Sequence, residues 1–165
     1  MTTLVLIAHN LRSAHNVGSL LRTCDGLGVD KVYLTGYTPY PLHTDDARMP
    51  HLAQKTDRQI AKTALGAEKF LNWQYLTDVR AVINDLKKQS FAILALEQAL
   101  GSVKLPGFKP PAKLALIVGR EVEGIEPEIL VLCDQILEIP MLGSKESFNV
   151  VQAAAMALYQ LRFGS

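Results

Sequence analysis

A chain of 165 residues, 48% hydrophobic and 20% charged, is long enough to bury a real core and too apolar to remain disordered. Its formal net charge of +1 and pI near 7.8 allow a nucleic-acid partner without demanding one, since any basic surface has to be local. No apolar run approaches the roughly 18 residues of a membrane span, and the start MTTLVLIAHN lacks the basic end of a signal peptide. Cys24 and Cys133 show neither pairing nor metal-ligand spacing and read as free thiols in a reducing compartment. The expected location is cytoplasmic.

The run 4–8 predicts a buried strand, followed by a helix over 16–27 with Val17, Leu20, Leu21 and Cys24 on its apolar side. A strand over 31–35 leads into a Pro-rich polar loop, 36–50. A helix is expected over 56–65, striped by Ile60, Ala61, Ala64 and Leu65. The second half predicts a helix at 79–88, a strand at 91–96, a Gly/Pro loop at 101–111 and a strand at 114–118. A short helix at 127–132 with Pro in its first turn, a strand at 135–139 and a helix at 149–162 complete the chain. Strands alternating with helices imply one α/β domain over 1–165, a mainly parallel sheet covered on both faces.

Familiar nucleotide and hydrolase patterns are missing. No GxxxxGK[ST], HExxH or GxSxG occurs, and His9, His15, His43 and His51 lack ligand spacing, so no metal is expected. Gly26 and Gly28 join a helix to a strand, the wrong order for cradling a pyrophosphate.

Three loops suggest one composite site instead. In NLRSAHNVGSLLR (10–22), Asn16 is typed to cap the helix, Gly18 would expose its first turn, and Arg22 follows one turn later on the same face. That pattern fits a grip on an anion or ribose-phosphate, or a capped surface helix with a solvated Arg22. In GREVEGI (119–125), Gly119 ends a buried strand, where open α/β sheets place ligands. Glu121 would orient Arg22 or a ribose hydroxyl, or simply face solvent; Arg120 and Glu123 read as surface charges. In IPMLGSKESFNVV (139–151), a polar loop with Ser147 and Asn149 sits at the positive end of a helix dipole. Either residue would also serve as a plain cap. The small residues Ala153, Ala154, Ala155 and Ala157 allow close helix approach, within the monomer or across a dimer.

NVGSLLR, IVGREVEGI and IPMLGSKESFNVVQAAAMALYQL together, in that order, resemble the three motifs of SpoU-type RNA ribose methyltransferases, the TrmH-like branch of the SPOUT superfamily. The resemblance runs over 4–161 and suggests a minimal catalytic domain without an added RNA-binding domain. It implies a C-terminal deep trefoil knot, which connection rules alone would exclude. It also implies S-adenosyl-L-methionine as cofactor and a homodimer whose protomers share each active site. By motif match Leu96, Gly119, Ile139, Met141 and Ser147 would line the cofactor pocket. Arg22 would act at the reacting 2′-hydroxyl, supported by Asn16, Glu121, Ser147 and Asn149. Phe148, Arg120 and Val151 depart from the usual family residues without removing a catalytic group.

The implied reaction is methyl transfer to a ribose 2′-oxygen of tRNA or rRNA, tRNA being preferred. A guanidinium stays protonated, so Arg22 is expected to grip phosphate and polarise the hydroxyl while phosphate, Glu121 or water takes the proton. Arg12, Lys55, Arg58, Lys62 and Lys69 are candidate phosphate contacts, and Tyr37 and Tyr40 candidate base-stacking residues. A non-catalytic knotted RNA-binding paralogue and a SPOUT base methyltransferase are the alternatives.

Overall fold

The computed structural model describes residues 2–164. Strands β1 (Thr3–His9), β2 (Lys31–Thr35), β3 (Trp73–Leu76), β4 (Ala92–Leu96), β5 (Val103–Lys104), β6 (Lys113–Val118) and β7 (Gln135–Glu138) form one sheet. They alternate with helices α1 (Ala14–Gly26), α2 (Pro50–Ala64), α3 (Ala67–Phe70), α4 (Val79–Lys88), α5 (Pro127–Leu130) and α6 (Val150–Phe163). The seven strands lie in the order β3-β2-β1-β6-β4-β7-β5, and every pairing is parallel.

Successive side chains of the central strands point to opposite faces, which divides the core in two. Leu4, Leu6, Leu114 and Leu116 face Val17, Leu20 and Leu21 of α1 and Ala154, Ala157 and Leu158 of α6. Val5, Ile7, Ala115 and Ile117 face Val79, Val82, Ile83 and Leu86 of α4 and Ile129 of α5. The α/β class and the parallel, doubly covered sheet agree with the sequence reading.

Several boundaries differ, for local reasons. Ser13, not Asn16, caps α1: its hydroxyl accepts from the Asn16 amide at 3.1 Å, so the helix starts at Ala14. Pro50 opens α2 rather than closing the preceding loop, because proline at the first helical position gives up only an amide that lacks a partner there anyway. The edge strand β3 escaped notice because half-buried Trp73 and Tyr75 alternate with exposed Gln74 and Leu76 over only four residues. β5 lies inside the Gly/Pro loop as a two-residue edge beside β7.

Gly18 is buried, and its role differs from the one expected. A Cβ there would collide with the Ile60 carbonyl and the Thr63 hydroxyl of α2. The Thr63 hydroxyl in turn donates to the His15 carbonyl at 2.8 Å. The missing side chain therefore lets two helices touch and opens no approach for a ligand. At the other end of α1, Arg162 of α6 donates to the carbonyls of Thr2 at 2.6 Å, Leu27 at 3.2 Å and Gly28. That side chain pins the last helix to the start of β1 and to the α1–β2 turn. No helix among the described residues is long and apolar enough to cross a membrane.

Candidate active site

Because β6, β4 and β7 are neighbours, the loops leaving their carboxyl ends meet above the sheet, where parallel α/β folds bind ligands. They enclose an open cavity of about 300 Å³. Leu96, Val118, Ile139, Val150 and Ala153 make its apolar wall, while Glu97, Arg120, Glu121 and Ser147 supply polar groups.

Glu121 ties this cavity to the start of α1. Its carboxylate accepts from the backbone amides of Arg12 at 3.2 Å and Ser13 at 3.3 Å, and from Asn16 Nδ2 at 3.2 Å. Burial opposes ionisation, but these donors and Glu121's own amide outweigh it and hold the carboxyl below its usual range. Glu121 therefore orients the turn before α1, not Arg22.

A second fastening runs through Glu126, which accepts from Asn10 Nδ2 at 2.8 Å and lies 3.4 Å from His9 Nε2 and 3.7 Å from Arg120 Nε. Asn10 takes the left-handed conformation (φ 56°), and its Oδ1 accepts from the Tyr37 amide at 3.1 Å. His9 Nδ1 is hydrogen-bonded to Thr35 Oγ1 at 2.9 Å. Burial lowers the His9 pKa and Arg120 lowers it further, against the pull of Glu126. Arg120, expected as a surface charge, is thus half-buried in the cavity wall and faces an acid, because loop 119–126 folds back on itself across the Arg120–Gly124 bridge. Glu123, also expected as a surface charge, is exposed and pairs with Arg12 at 2.8 Å.

The structure brings Leu96, Gly119, Glu121, Ile139 and Ser147 to one cavity, and Asn16 reaches it through Glu121. Half-buried Met141 lies in the same loop, outside the lining. Asn149 is exposed and caps α6, its Oδ1 accepting from the Val151 amide at 2.9 Å. Arg22 is exposed on α1, nearly two turns beyond Asn16, and has no hydrogen bond or ion pair within the described chain. Lys55, Arg58, Lys62 and Lys69 are exposed on α2 and α3. Tyr37 is exposed, but Tyr40 is stacked on Tyr75 at 3.9 Å with the Arg48 guanidinium 3.6 Å from its ring. Both faces of Tyr40 are covered, so it packs the loop and is not a stacking platform.

Sequence reasoning missed Glu97 and Gln98. Glu97 Oε2 accepts from the Ile125 amide at 3.0 Å and Oε1 from the Gln98 amide at 2.8 Å. Gln98 Nε2 donates to the Glu146 carbonyl at 3.0 Å, linking the β4 loop to the β7 loop. The available signal was position, directly beyond a buried strand.

The family model of the SpoU rRNA Methylase family matches residues 3–159. A tRNA (guanosine(18)-2′-O)-methyltransferase of Aquifex aeolicus is 28% identical over 157 residues, covering 95% of this chain and 67% of that one. The crystal structure of an A. aeolicus TrmH/SpoU tRNA modifying enzyme superposes with a TM-score of 0.78 at 25% identity, covering 97% of this chain and 74% of the other. The SpoU methyltransferase AviRb of Streptomyces viridochromogenes, solved with its cofactor AdoMet, has the same fold, with a TM-score of 0.79 at 20% identity over 97% of this chain and 57% of that one. The chain spans between 57% and 67% of the length of the curated relatives it matches. With a family model matched across almost its whole length, the chain belongs to the SpoU rRNA Methylase family.

Proposed function

We propose that the protein is an S-adenosyl-L-methionine-dependent RNA methyltransferase that acts on a ribose 2′-hydroxyl, with tRNA as its substrate. The observation that carries this reading is the closure of one cavity by the loops after β4, β6 and β7, two of which bear family motifs. The choice of tRNA is supported by the name of the Aquifex relative.

The cavity suits S-adenosyl-L-methionine in size and character. An apolar wall fits a purine, and Glu97 fits a ligand carrying positive charge. Leu96, Gly119, Ile139, Met141 and Ser147 would hold it. When bound, the cofactor supplies an electrophilic methyl on a sulfonium.

The chain's own residues then have to bring a hydroxyl to that methyl and take its proton. Glu121 is an unsuitable acceptor, since its lone pairs hold the turn before α1 and its acidity is raised. The proton passes instead to the target phosphate or to water, while Arg22 grips the phosphate and polarises the hydroxyl. Asn16, Ser147 and Asn149 support the approach. Arg22 is remote from Glu121 along α1, so it would serve a second copy's cavity in a homodimer. Exposed Met156, Tyr159 and Phe163, aligned on α6, support such a contact.

The C-terminal segment would be threaded into a trefoil knot. Support comes from strand order: β7 inserts between β4 and β5, which an earlier stretch of chain already joins. Exposed Arg12, Lys55, Arg58, Lys62 and Lys69 would contact RNA phosphates.

The test is to incubate wild-type and Arg22→Ala protein with methyl-labelled S-adenosyl-L-methionine and separated tRNA and rRNA fractions lacking the modification. Label entering ribose in the tRNA fraction, reduced at least about 100-fold in the variant, is the expected result. Label on a base, or cofactor binding with no label in any fraction, would refute the reading. Arg22→Lys is expected to lose most activity too, since an ammonium lacks the planar fork.

A further inference from the structure

Glu97 stands immediately beyond β4, outside the motif segments, yet its carboxylate is fixed in the cavity wall. Both oxygens accept backbone amides, from Ile125 at 3.0 Å and Gln98 at 2.8 Å. Gly124 (φ 70°) folds the 119–125 loop down onto it, and a Cβ at Gly124 would collide with Glu97 Oε2. The side chain is thus held in place, but its charge meets no cationic side chain among the described residues.

The other charges of the wall are compensated. Arg120 donates to the Gly124 carbonyl at 3.1 Å and faces Glu126. Glu121 spreads its charge over amides at the positive end of the α1 dipole. Glu146 is exposed to solvent, where water screens it. Glu97, held by two backbone amides, is left as the fixed carboxylate of a partly enclosed site, with no ion pair of its own among the described residues.

We infer that Glu97 is a specificity-determining residue that makes the cavity prefer a sulfonium ligand over the neutral thioether produced by methyl transfer. The inference rests on reading the cavity as the S-adenosyl-L-methionine site. S-adenosylhomocysteine has nearly the same shape and lacks one methyl and one positive charge. Shape alone barely separates the two, whereas a fixed carboxylate in a medium of reduced dielectric does. The same charge that draws the donor in lets the spent product leave.

The test is calorimetric titration of S-adenosyl-L-methionine and S-adenosylhomocysteine into wild type, Glu97→Gln and Glu97→Asp, without RNA. The readout is the ratio of the two dissociation constants. In Glu97→Gln the preference for the sulfonium should fall on the order of fivefold to tenfold, and Glu97→Asp should restore most of it. Equal weakening of both ligands would reduce Glu97 to a loop brace and overturn the inference. Should Glu97→Gln fail to fold, Gln98→Lys sets an ammonium beside the carboxylate at an exposed position, and an unchanged ratio there is equally fatal. A wild type that binds neither ligand would instead defeat the cofactor reading, and this inference with it.

Discussion

Gly18 in α1 and Gly124 in the cavity loop both lack room for a side chain, but their neighbours differ in kind. Gly18 abuts the Ile60 carbonyl and the Thr63 hydroxyl of a packed helix, which have nowhere to go. Gly124 meets the carboxylate of Glu97, the end of a side chain in an open site. Both glycines stand in motifs that suggest ligand approach. In the first region the approaching group is the chain itself; in the second the glycine shapes a wall that faces empty space. A glycine in a motif therefore marks a close approach without saying who approaches.

The sharpest way to break this comparison is Gly18→Val. Its branched side chain would force α1 from α2 and cost about 3 kcal/mol or more, read as a shift of the urea unfolding midpoint. A midpoint within error of wild type would mean that the helices are not in contact through Gly18. Next comes Arg162→Ala, which fastens the same packed region. It strips charge-assisted donors from three carbonyls, and about 2 kcal/mol of stability should go with it in the same assay. Gly124→Ala should cost about 1–2 kcal/mol, from one left-handed residue and the displacement of the Glu97 carboxylate from its amides, while affinity for S-adenosyl-L-methionine drops several-fold. The reverse pattern, large instability with intact binding, would contradict the division into packed and open glycines.

The smallest effect is on pH dependence, at the seam between the two regions. The folded His9 pKa lies below 6.5, so the unfolded chain takes up the proton first as pH falls. Stability should be fully present above that value and decline below it, by less than about 1.4 kcal/mol per pH unit. His9→Gln should flatten the slope between pH 7 and 5.5. The depressed carboxyls Glu121 and Glu126 act lower, losing their contribution only as pH falls below 4.5.

Much of the molecule was legible because its signals are local. Continuous apolar runs gave away β1, β2, β4 and β6, each buried on both faces or nearly so, whereas β7 offers only Ile136 and Leu137 between polar ends. β3 and β5 are short edges with little burial, and so carry little pattern. In the site, Gly119, Glu121, Ile139 and Ser147 stood in motifs, and the cavity gathers them. Glu97 had no such marker: its role depends on the amide of Ile125, 28 residues away, folding onto it. Asn16 reads as a cap from its side chain alone; the Ser13 hydroxyl takes that role, and the Asn16 side-chain amide turns to Glu121 instead.

Periodicity, turn residues and motif order were enough for an alternating α/β chain, its parallel sheet, its family resemblance and the loops that bear chemistry. Each follows from contacts among near neighbours or from residue types that suit few backbone conformations. Which strands stand side by side was beyond that reach. The order β6-β4-β7, which assembles the cavity, and the insertion of β7 between β4 and β5 arise from competition among distant strands of similar apolar character. Similar Leu- and Ile-rich runs would pair acceptably in several orders, and the packing of α1 against α2 and α6 selects among them. The cavity, the charge balance around Glu97 and the exposed setting of Arg22 are consequences of that selection.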